Sequence, residues 1–204
     1  EIKNKKISSV KLTGIWTIPI DIKTEIETDV FAVRFKPLAI ELLENINLKA
    51  LLNSSINLRT DFIGIDNLAF DNFKDFCKHI EHYLKTRIEK TKTVSDLKIR
   101  LFNEIFKKEV FKVQELSEKI FWTSRQINRY FNLTVGLSLK EYLNIIRCNQ
   151  TFKDIAKTRH TLQSKYFDQS HIIKEIKKFT GATPTELKKN ENDRFLQLST
   201  IKAF

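Results

Sequence analysis

The chain has 204 residues, of which 41% are hydrophobic and 30% charged, and its formal net charge is +11. This composition excludes a disordered tail, and no apolar run reaches the ~18 residues that a membrane span requires. Cys77 and Cys148 lie far apart without metal-ligand spacing, and no secretory pattern opens the chain, so a reducing cytoplasm is the simplest location. The absence of methionine indicates a fragment or a processed chain.

Residues 1 to 90 predict a small α+β unit. β-branched and aromatic residues alternate loosely with polar ones from Val10 to Ile20 and from Val30 to Phe35, which predicts two strands. The pattern becomes helical from Leu38 to Leu43, and a longer amphipathic helix is predicted from Leu68 to Ile88. The apolar positions of that longer helix are Phe70, Phe73, Phe76, Ile80, Leu84 and Ile88, and its three phenylalanines indicate core packing more strongly than a partner groove.

The basic excess lies in the carboxyl half of the chain. Residues 1 to 92 carry 15 Lys/Arg against 13 Asp/Glu, whereas residues 93 to 190 carry 19 against 10. The polar, basic stretch from Lys85 to Thr93 predicts a domain boundary between these halves. Such an excess is typical of a surface that neutralises phosphates, although a solvated basic face without a partner accounts for the charge equally well.

After Val94 the periodicity predicts a run of short helices. Their buried stripes are Leu97, Leu101, Ile105 and Phe106 in the first, Val113, Leu116 and Ile120 in the second, and Ile127, Tyr130 and Phe131 in the third. Thr123 is suited to cap the third helix. The pair from Val113 to Asn132, with a tight turn at Ile120 to Trp122, has the dimensions of a helix-turn-helix.

The predicted outer face of the third helix is polar. Arginine can contact guanine through two hydrogen bonds, and glutamine or asparagine can do the same with adenine, so this face could read a major groove. The candidate DNA contacts are Ser124, Arg125, Gln126, Asn128 and Arg129.

The segment from Tyr166 to Leu187 predicts another short DNA-reading helix. Asp168 is suited to cap its start, Gly181 to end it, and Thr183-Pro184 to begin a further helix. Its apolar stripe is Ile172, Ile176 and Phe179. On the other faces we expect base or positioning contacts from Gln169, Ser170, His171 and Lys174, with Lys177, Lys178 and Arg147 available for phosphates.

These two blocks resemble the carboxyl-terminal DNA-binding domain of the AraC/XylS family of bacterial transcription regulators, over about residues 93 to 190. In the block from Thr123 to Arg147, the family's cap, core residue, arginine-x-phenylalanine pair, glycine and tyrosine correspond to Thr123, Ile127, Arg129, Phe131, Gly136 and Tyr142. In the second block the matches are Gln169-Ser170-His171, Phe179-Thr180-Gly181 and Thr183-Pro184. The second block is the more specific of the two.

The resemblance implies a mainly α fold: a seven-helix double helix-turn-helix DNA-binding domain over residues 93–190, preceded by a small α+β domain over residues 1–90 and followed by a tail over 191–204. A central helix, about Leu139 to Lys157, would join two units whose recognition helices enter successive major grooves. Double-stranded DNA is the implied partner, with RNA polymerase, a small-molecule effector and a second copy of the chain as further candidates. The implied location is the bacterial cytoplasm, at the nucleoid, with no membrane partner.

The amino half carries a weaker resemblance. The segment from Phe31 to Leu43 is similar to the strand-Pro-helix junction of the sensor-like domains that precede some AraC-type reader domains. This similarity implies that residues 1–90 are part of a regulatory domain that binds an effector or another subunit. The other interpretation of the same segment is a packing strand and its turn.

The chain departs from the family pattern in two places. Leu139 stands where the family has proline, and a helix can begin there without it. Ile155-Ala156 lies too far upstream of Ser170 for a normal support helix, and Lys165 replaces a glycine. Either a loop is inserted at residues 158–164, or the central helix continues and the support helix shrinks to a turn near residues 162–166, which we favour.

Catalysis, a cofactor and a metal site are not expected. On a helix Cys77 and His79 point to different sides, which leaves His82 and His79 as a pair too small for a ligand set. No phosphate-binding glycine loop or nucleophile elbow is present in the sequence, and His171 has no nucleophile or carboxylate partner nearby in sequence. The alternative to a DNA-binding regulator is a helical effector-binding or protein-interaction module without DNA binding.

Overall fold

The computed structural model describes residues 1–3, 6–23, 28–44, 46–62, 73–90, 95–107, 113–157 and 169–189. Within these residues the fold is mainly helical, as predicted. The α-helices are α1 (Pro37–Glu44), α2 (Phe73–Glu89), α3 (Asp96–Phe106), α4 (Val113–Ile120), α5 (Ser124–Tyr130), α6 (Leu139–Lys157), α7 (Gln169–Thr180) and α8 (Pro184–Lys189). A 3₁₀ helix, Leu48–Leu51, follows α1, and a π-helical segment, Phe131–Val135, continues α5.

The strands are short and form two small antiparallel sheets. In the first, β1 (Ile2–Lys3) lies between β2 (Lys6–Ile7) and β4 (Thr28–Asp29). In the second, β3 (Val10–Thr13) pairs with β5 (Ser55–Leu58), and Val10 lies opposite Leu58. These sheets support the amino-terminal part of the fold but carry none of the candidate DNA contacts.

The prediction of a strand from Val10 to Ile20 is wrong beyond Thr13, and that of a strand from Val30 to Phe35 is wrong throughout. The strand that starts at Val10 ends at Thr13 because its pairing strand, β5, begins only at Ser55. The chain before β5 forms the 3₁₀ helix and does not continue the pairing. The segment from Val30 to Phe35 packs against a helix instead: the centre of the Phe31 ring lies 4.9 Å from that of Phe76 on α2. Ring packing on a helix replaces strand pairing there.

The chain divides into two compact units. The first comprises Glu1–Ile15 and Ile22–Gly136, and the second comprises Trp16–Asp21 and Leu137–Phe204. One division between the units follows Gly136, because α1 packs on α3 and the 3₁₀ helix packs on the π-helical segment. The domain boundary predicted in the stretch from Lys85 to Thr93 stays a prediction. The regulatory role of residues 1–90 and the DNA-binding role of residues 93–190 stay predictions.

The core of the first unit follows the predicted stripes of α3, α4 and α5. Its side chains with almost no exposed surface include Leu101, Ile105, Leu116, Ile120, Ile127 and Phe131. Three positions in the predicted stripes are wrong: Leu97 of α3, and Phe73 and Ile88 of α2, are exposed. Phe102, which was not predicted, is buried in α3 and contacts the rings of Phe106, Tyr130 and Phe131.

The second unit is built on α6, which has the predicted bounds. Its start needs no proline, because Glu141 accepts hydrogen bonds from the backbone N–H (2.9 Å) and the hydroxyl (2.7 Å) of Ser138. These bonds hold the pKa of Glu141 below its ordinary value. The core between α6, α7 and α8 consists of Cys148, Phe152, Ile155, Ile176, Ala182 and Leu187.

The structure describes six helices in residues 95–189, where the resemblance implies seven. The segment in which the support helix of the second unit was expected, residues 158–168, lies outside the described residues, as does the tail at 191–204. The inserted loop and the shortened support helix therefore both stay open. None of the helices in the described ranges is long and apolar enough to cross a membrane.

Candidate nucleic-acid interface

Helix α5 begins at a capping box. The Thr123 hydroxyl accepts a hydrogen bond from the Gln126 backbone N–H (3.2 Å), and Gln126 Oε1 accepts from the Thr123 backbone N–H (3.0 Å) and hydroxyl (2.8 Å). These bonds satisfy donors that a helix start leaves without partners. Just before the cap, Phe121 adopts a left-handed backbone conformation (φ 57°) and forms the tight turn from α4. The predicted cap and turn are confirmed.

The inner face of α5 is held by buried side chains. Ile127 and Phe131 have no exposed surface, and Tyr130 is buried beside them. The Tyr130 ring lies 5.7 Å from that of Trp122, and the Phe131 ring lies 5.9 Å from that of Phe102. Because these side chains bury one side of α5, the opposite side of the helix faces outward.

The outer side of α5 and the following π-helical segment form one face, which we call the α5 face. Its residues are spaced three and four positions apart, as neighbours on a helix surface are. They line a shallow depression and are Arg125, Asn128, Arg129, Asn132 and Leu133. The sequence from Ser124 to Val135 contains no acidic residue, and Arg125 and Arg129 are both exposed. The α5 face thus presents two guanidinium groups, two amides and one apolar side chain, half exposed, to a ligand.

Of the five contacts predicted on α5, the structure brings three together on this face, Arg125, Asn128 and Arg129. Ser124 is partly buried in the first turn, and its carbonyl accepts from Asn128 Nδ2 (3.0 Å). Gln126 is exposed, but its side-chain oxygen belongs to the cap.

Asn132 and Leu133 are members of the α5 face that sequence reasoning missed. The helical turn continues past Tyr130, and the residues seven and eight positions after Arg125 fall on its face. That spacing was visible in the sequence, but the predicted helix-turn-helix ended at Asn132. Asn132 and Leu133 can therefore be found from the helical spacing that continues past Tyr130, but not from their residue types.

In the second unit, α7 carries the other candidate contacts. Ile176 is fully buried and Phe179 packs against the same core, as the predicted stripe required. On the other sides Lys174, Lys177 and Lys178 are exposed, and the Lys178 ammonium lies 5.6 Å from the centre of the Phe179 ring. The side chains of Gln169, Ser170, His171 and Ile172, and the predicted cap Asp168, lie outside the described part of the chain.

The predicted stop of α7 and start of α8 are confirmed. Gly181 has a left-handed backbone (φ 73°), and its N–H donates to the Lys177 carbonyl (2.8 Å). Glu186 then accepts from the backbone N–H and the hydroxyl of Thr183, both at 2.7 Å, which caps α8.

Arg147 is the predicted phosphate contact that lies outside α7. It is only partly exposed on α6, and its Nε atom is buried. Next to it, burial and then the charge of Glu175 raise the pKa of the Cys148 thiol to about 12, so the sulfur is a neutral packing group at ordinary pH. Burial likewise raises the pKa of Tyr142.

The residues that the structure describes contain no group of three His, Cys, Asp or Glu side chains that could hold a metal ion. Cys77 is an exposed free thiol on α2.

No protein-family model, no curated protein and no solved structure matches this chain.

Proposed function

We propose that the chain is a sequence-specific DNA-binding transcription regulator of the AraC type, whose α5 face enters a major groove. One observation carries this proposal: the α5 face is exposed, contains no acidic side chain and carries two arginines one turn apart. The capping box and the buried aromatic rings hold it in place. A preorganised basic helix of this kind suits the dimensions and hydrogen-bond pattern of a major groove.

Within this proposal the side chains of the α5 face have different roles. Arg125 and Arg129 contact guanines, the base whose O6 and N7 acceptors match a guanidinium. Leu133 offers apolar contact to a thymine methyl group. Gln126 serves the cap, because its side-chain oxygen has two lone pairs and Thr123 occupies both. The preferred site would thus be rich in guanine where α5 binds.

The second recognition helix in the proposal is α7. Lys174, Lys177 and Lys178 are exposed cations that contact phosphates and position the protein, while Gln169, Ser170 and His171 contact bases. By the AraC/XylS resemblance, α5 and α7 belong to two helix-turn-helix units that bind successive major grooves. RNA polymerase, an effector for the amino-terminal part and a second copy of the chain are the partners that this resemblance adds.

Selection of bound duplexes from a random pool tests the proposal. We expect enrichment of one sequence, with guanines at fixed positions. Affinity for the enriched duplex should fall steeply as salt rises, with a slope of about −0.9 per phosphate contacted. The matched control is the double variant Arg125→Ala/Arg129→Ala, which should retain weak binding but enrich no guanines. An unenriched pool with no salt-dependent shift would favour the interaction module without DNA binding.

A further inference from the structure

We infer that Glu41, in α1, is a positioning residue for the α5 face, an inference that rests on the proposed function. Glu41 lies 89 positions before Tyr130 in the chain, yet its Oε2 atom accepts a hydrogen bond from the Tyr130 hydroxyl (2.8 Å). Its other carboxylate oxygen, Oε1, forms an ion pair with Lys98 of α3. One carboxylate thus joins α1 to both α3 and α5.

Lys98 and Tyr130, the two residues that Glu41 contacts, also contact each other. The Lys98 ammonium lies 5.0 Å from the centre of the Tyr130 ring. The Glu41 and Lys98 side chains are 28% and 27% exposed, so solvent screens their charges less than those of surface pairs. A hydrogen bond to a charged acceptor is also stronger than one between neutral groups. The Tyr130 side chain is therefore fixed in direction by charge as well as by packing.

Tyr130 is the residue through which Glu41 can act on α5. It is the last residue of the helix and directly follows Arg129. Its ring contacts Trp122, just before the Thr123 cap, and Phe131, just after the helix. Both ends of α5 are thus packed against the ring that Glu41 holds, and a shift of this ring would move the arginines.

A second attachment supports the same role for the segment around Glu41. Asn47, three residues after α1, donates through Nδ2 to the carbonyl of Leu133 on the α5 face (3.2 Å). The backbone at Lys49 also lies close to Gly136, where a Cβ atom would be 3.1 Å from Lys49 Cα. Glu41, Asn47 and Lys49 therefore contact the carboxyl end of α5 and its π-helical extension at separate points. They are a part of the recognition unit that the boundary predicted near residue 90 would have left out.

The test uses the full chain and two duplexes, the enriched one and an unrelated one of the same length. We expect Glu41→Ala and Tyr130→Phe each to weaken binding of the enriched duplex about tenfold and to change binding of the unrelated duplex less than about twofold. The double variant should bind about as weakly as Glu41→Ala alone, since Glu41→Ala already removes the hydrogen bond that Tyr130→Phe removes. Glu41→Gln keeps an oxygen that can accept the hydroxyl proton and should recover most of the affinity. Glu81→Ala, which removes an exposed carboxylate on α2, is the control and should bind both duplexes as the wild type does.

A spectroscopic measurement separates this inference from the proposed function. In a Trp16→Phe background, Trp122 emission should shift in Glu41→Ala without DNA, because the Trp122 ring rests on Tyr130. If Glu41→Ala binds the enriched duplex as tightly as the wild type, or weakens both duplexes equally, the inference is overturned and the proposed function stands. If the wild type enriches no sequence, both are overturned. Should Glu41→Ala fail to fold, Glu41→Gln and Tyr130→Phe decide the outcome by the same criteria.

Discussion

Gln126 and Thr123 cap each other at the start of α5: the glutamine side-chain oxygen accepts from the threonine N–H (3.0 Å) and hydroxyl (2.8 Å), and the threonine hydroxyl accepts from the glutamine N–H (3.2 Å). An adenine contact through two hydrogen bonds would need this oxygen as an acceptor. Gln126 lies on the outer face of α5, yet its side-chain oxygen is used to cap the start of the helix.

Replacing the cap should therefore change stability and not base preference. We expect Thr123→Ala and Gln126→Ala each to lower the free energy of unfolding by about 1 kcal/mol, measured by urea denaturation. Gln126→Ala should enrich the same duplex from a random pool as the wild type. Gln114→Ala, an exposed glutamine of α4, is the matched control and should leave stability almost unchanged. Loss of an adenine from the enriched site of Gln126→Ala would show instead that the side chain leaves the cap to contact DNA.

Replacing either arginine of the α5 face should change base preference. Arg125→Ala or Arg129→Ala should cost ~1 to 3 kcal/mol in binding of the enriched duplex and relax the preference for one guanine. The measurement is the affinity for duplexes that differ at single positions. Arg100→Ala removes an exposed arginine of α3 and serves as the control. Equal losses on every duplex would make these arginines phosphate contacts.

The exposed lysines of α7 should behave differently from the arginines of α5. Lys177→Ala and Lys178→Ala should weaken binding to all duplexes alike, and each should reduce the salt slope by about one unit, because a phosphate contact releases a counterion whatever the sequence. Titration at several salt concentrations measures the slope. Lys85→Ala on α2, an exposed lysine paired with Glu81, is the control. An unchanged slope in both variants would remove α7 from the interface.

Phe121 carries a large exposed ring on a left-handed backbone. Its side chain is 88% exposed and its φ is 57°, so the conformation is unfavourable for a bulky residue and the ring gains little from burial. We expect Phe121→Gly to raise the free energy of unfolding by about 1 kcal/mol. Phe121→Ala, which removes the ring but keeps Cβ, should give no such gain. A loss of stability in Phe121→Gly would mean that the ring makes a contact the turn depends on.

The two cysteines should react at very different rates. Cys77 is exposed, whereas Cys148 is buried and its pKa is raised to about 12. A thiol reagent at pH 8 should label one site per folded chain and two after denaturation, because the thiolate is the reactive form.

Cys148 also has a consequence for stability at alkaline pH. Since its folded pKa lies above the unfolded value near 9, its contribution to stability is complete below that value and is lost as pH rises toward about 12. We expect Cys148→Ala to show a shallower loss of stability above pH ~9 than the wild type. Cys77→Ala, at the exposed position, is the control and should follow the wild type.

The helix boundaries were largely predictable because their signals are local. The boxes at Thr123 and Thr183 and the left-handed stop at Gly181 involve partners within four residues, which a sequence displays directly. The inward positions of α5 followed in the same way from helical spacing. The α5 face could be predicted in part, through Arg125, Asn128 and Arg129, for the same reason.

The sequence by itself thus determined a mainly helical chain with a basic carboxyl half and the start and stop of its short helices, since these depend on composition and near neighbours. Only the tertiary structure decided that Phe31 packs on α2 instead of extending a strand, and that Glu41 reaches Tyr130 across 89 positions. It also decided that the first unit runs to Gly136. Contacts between distant residues have no period and no local spacing, so their partners become defined only when the chain folds.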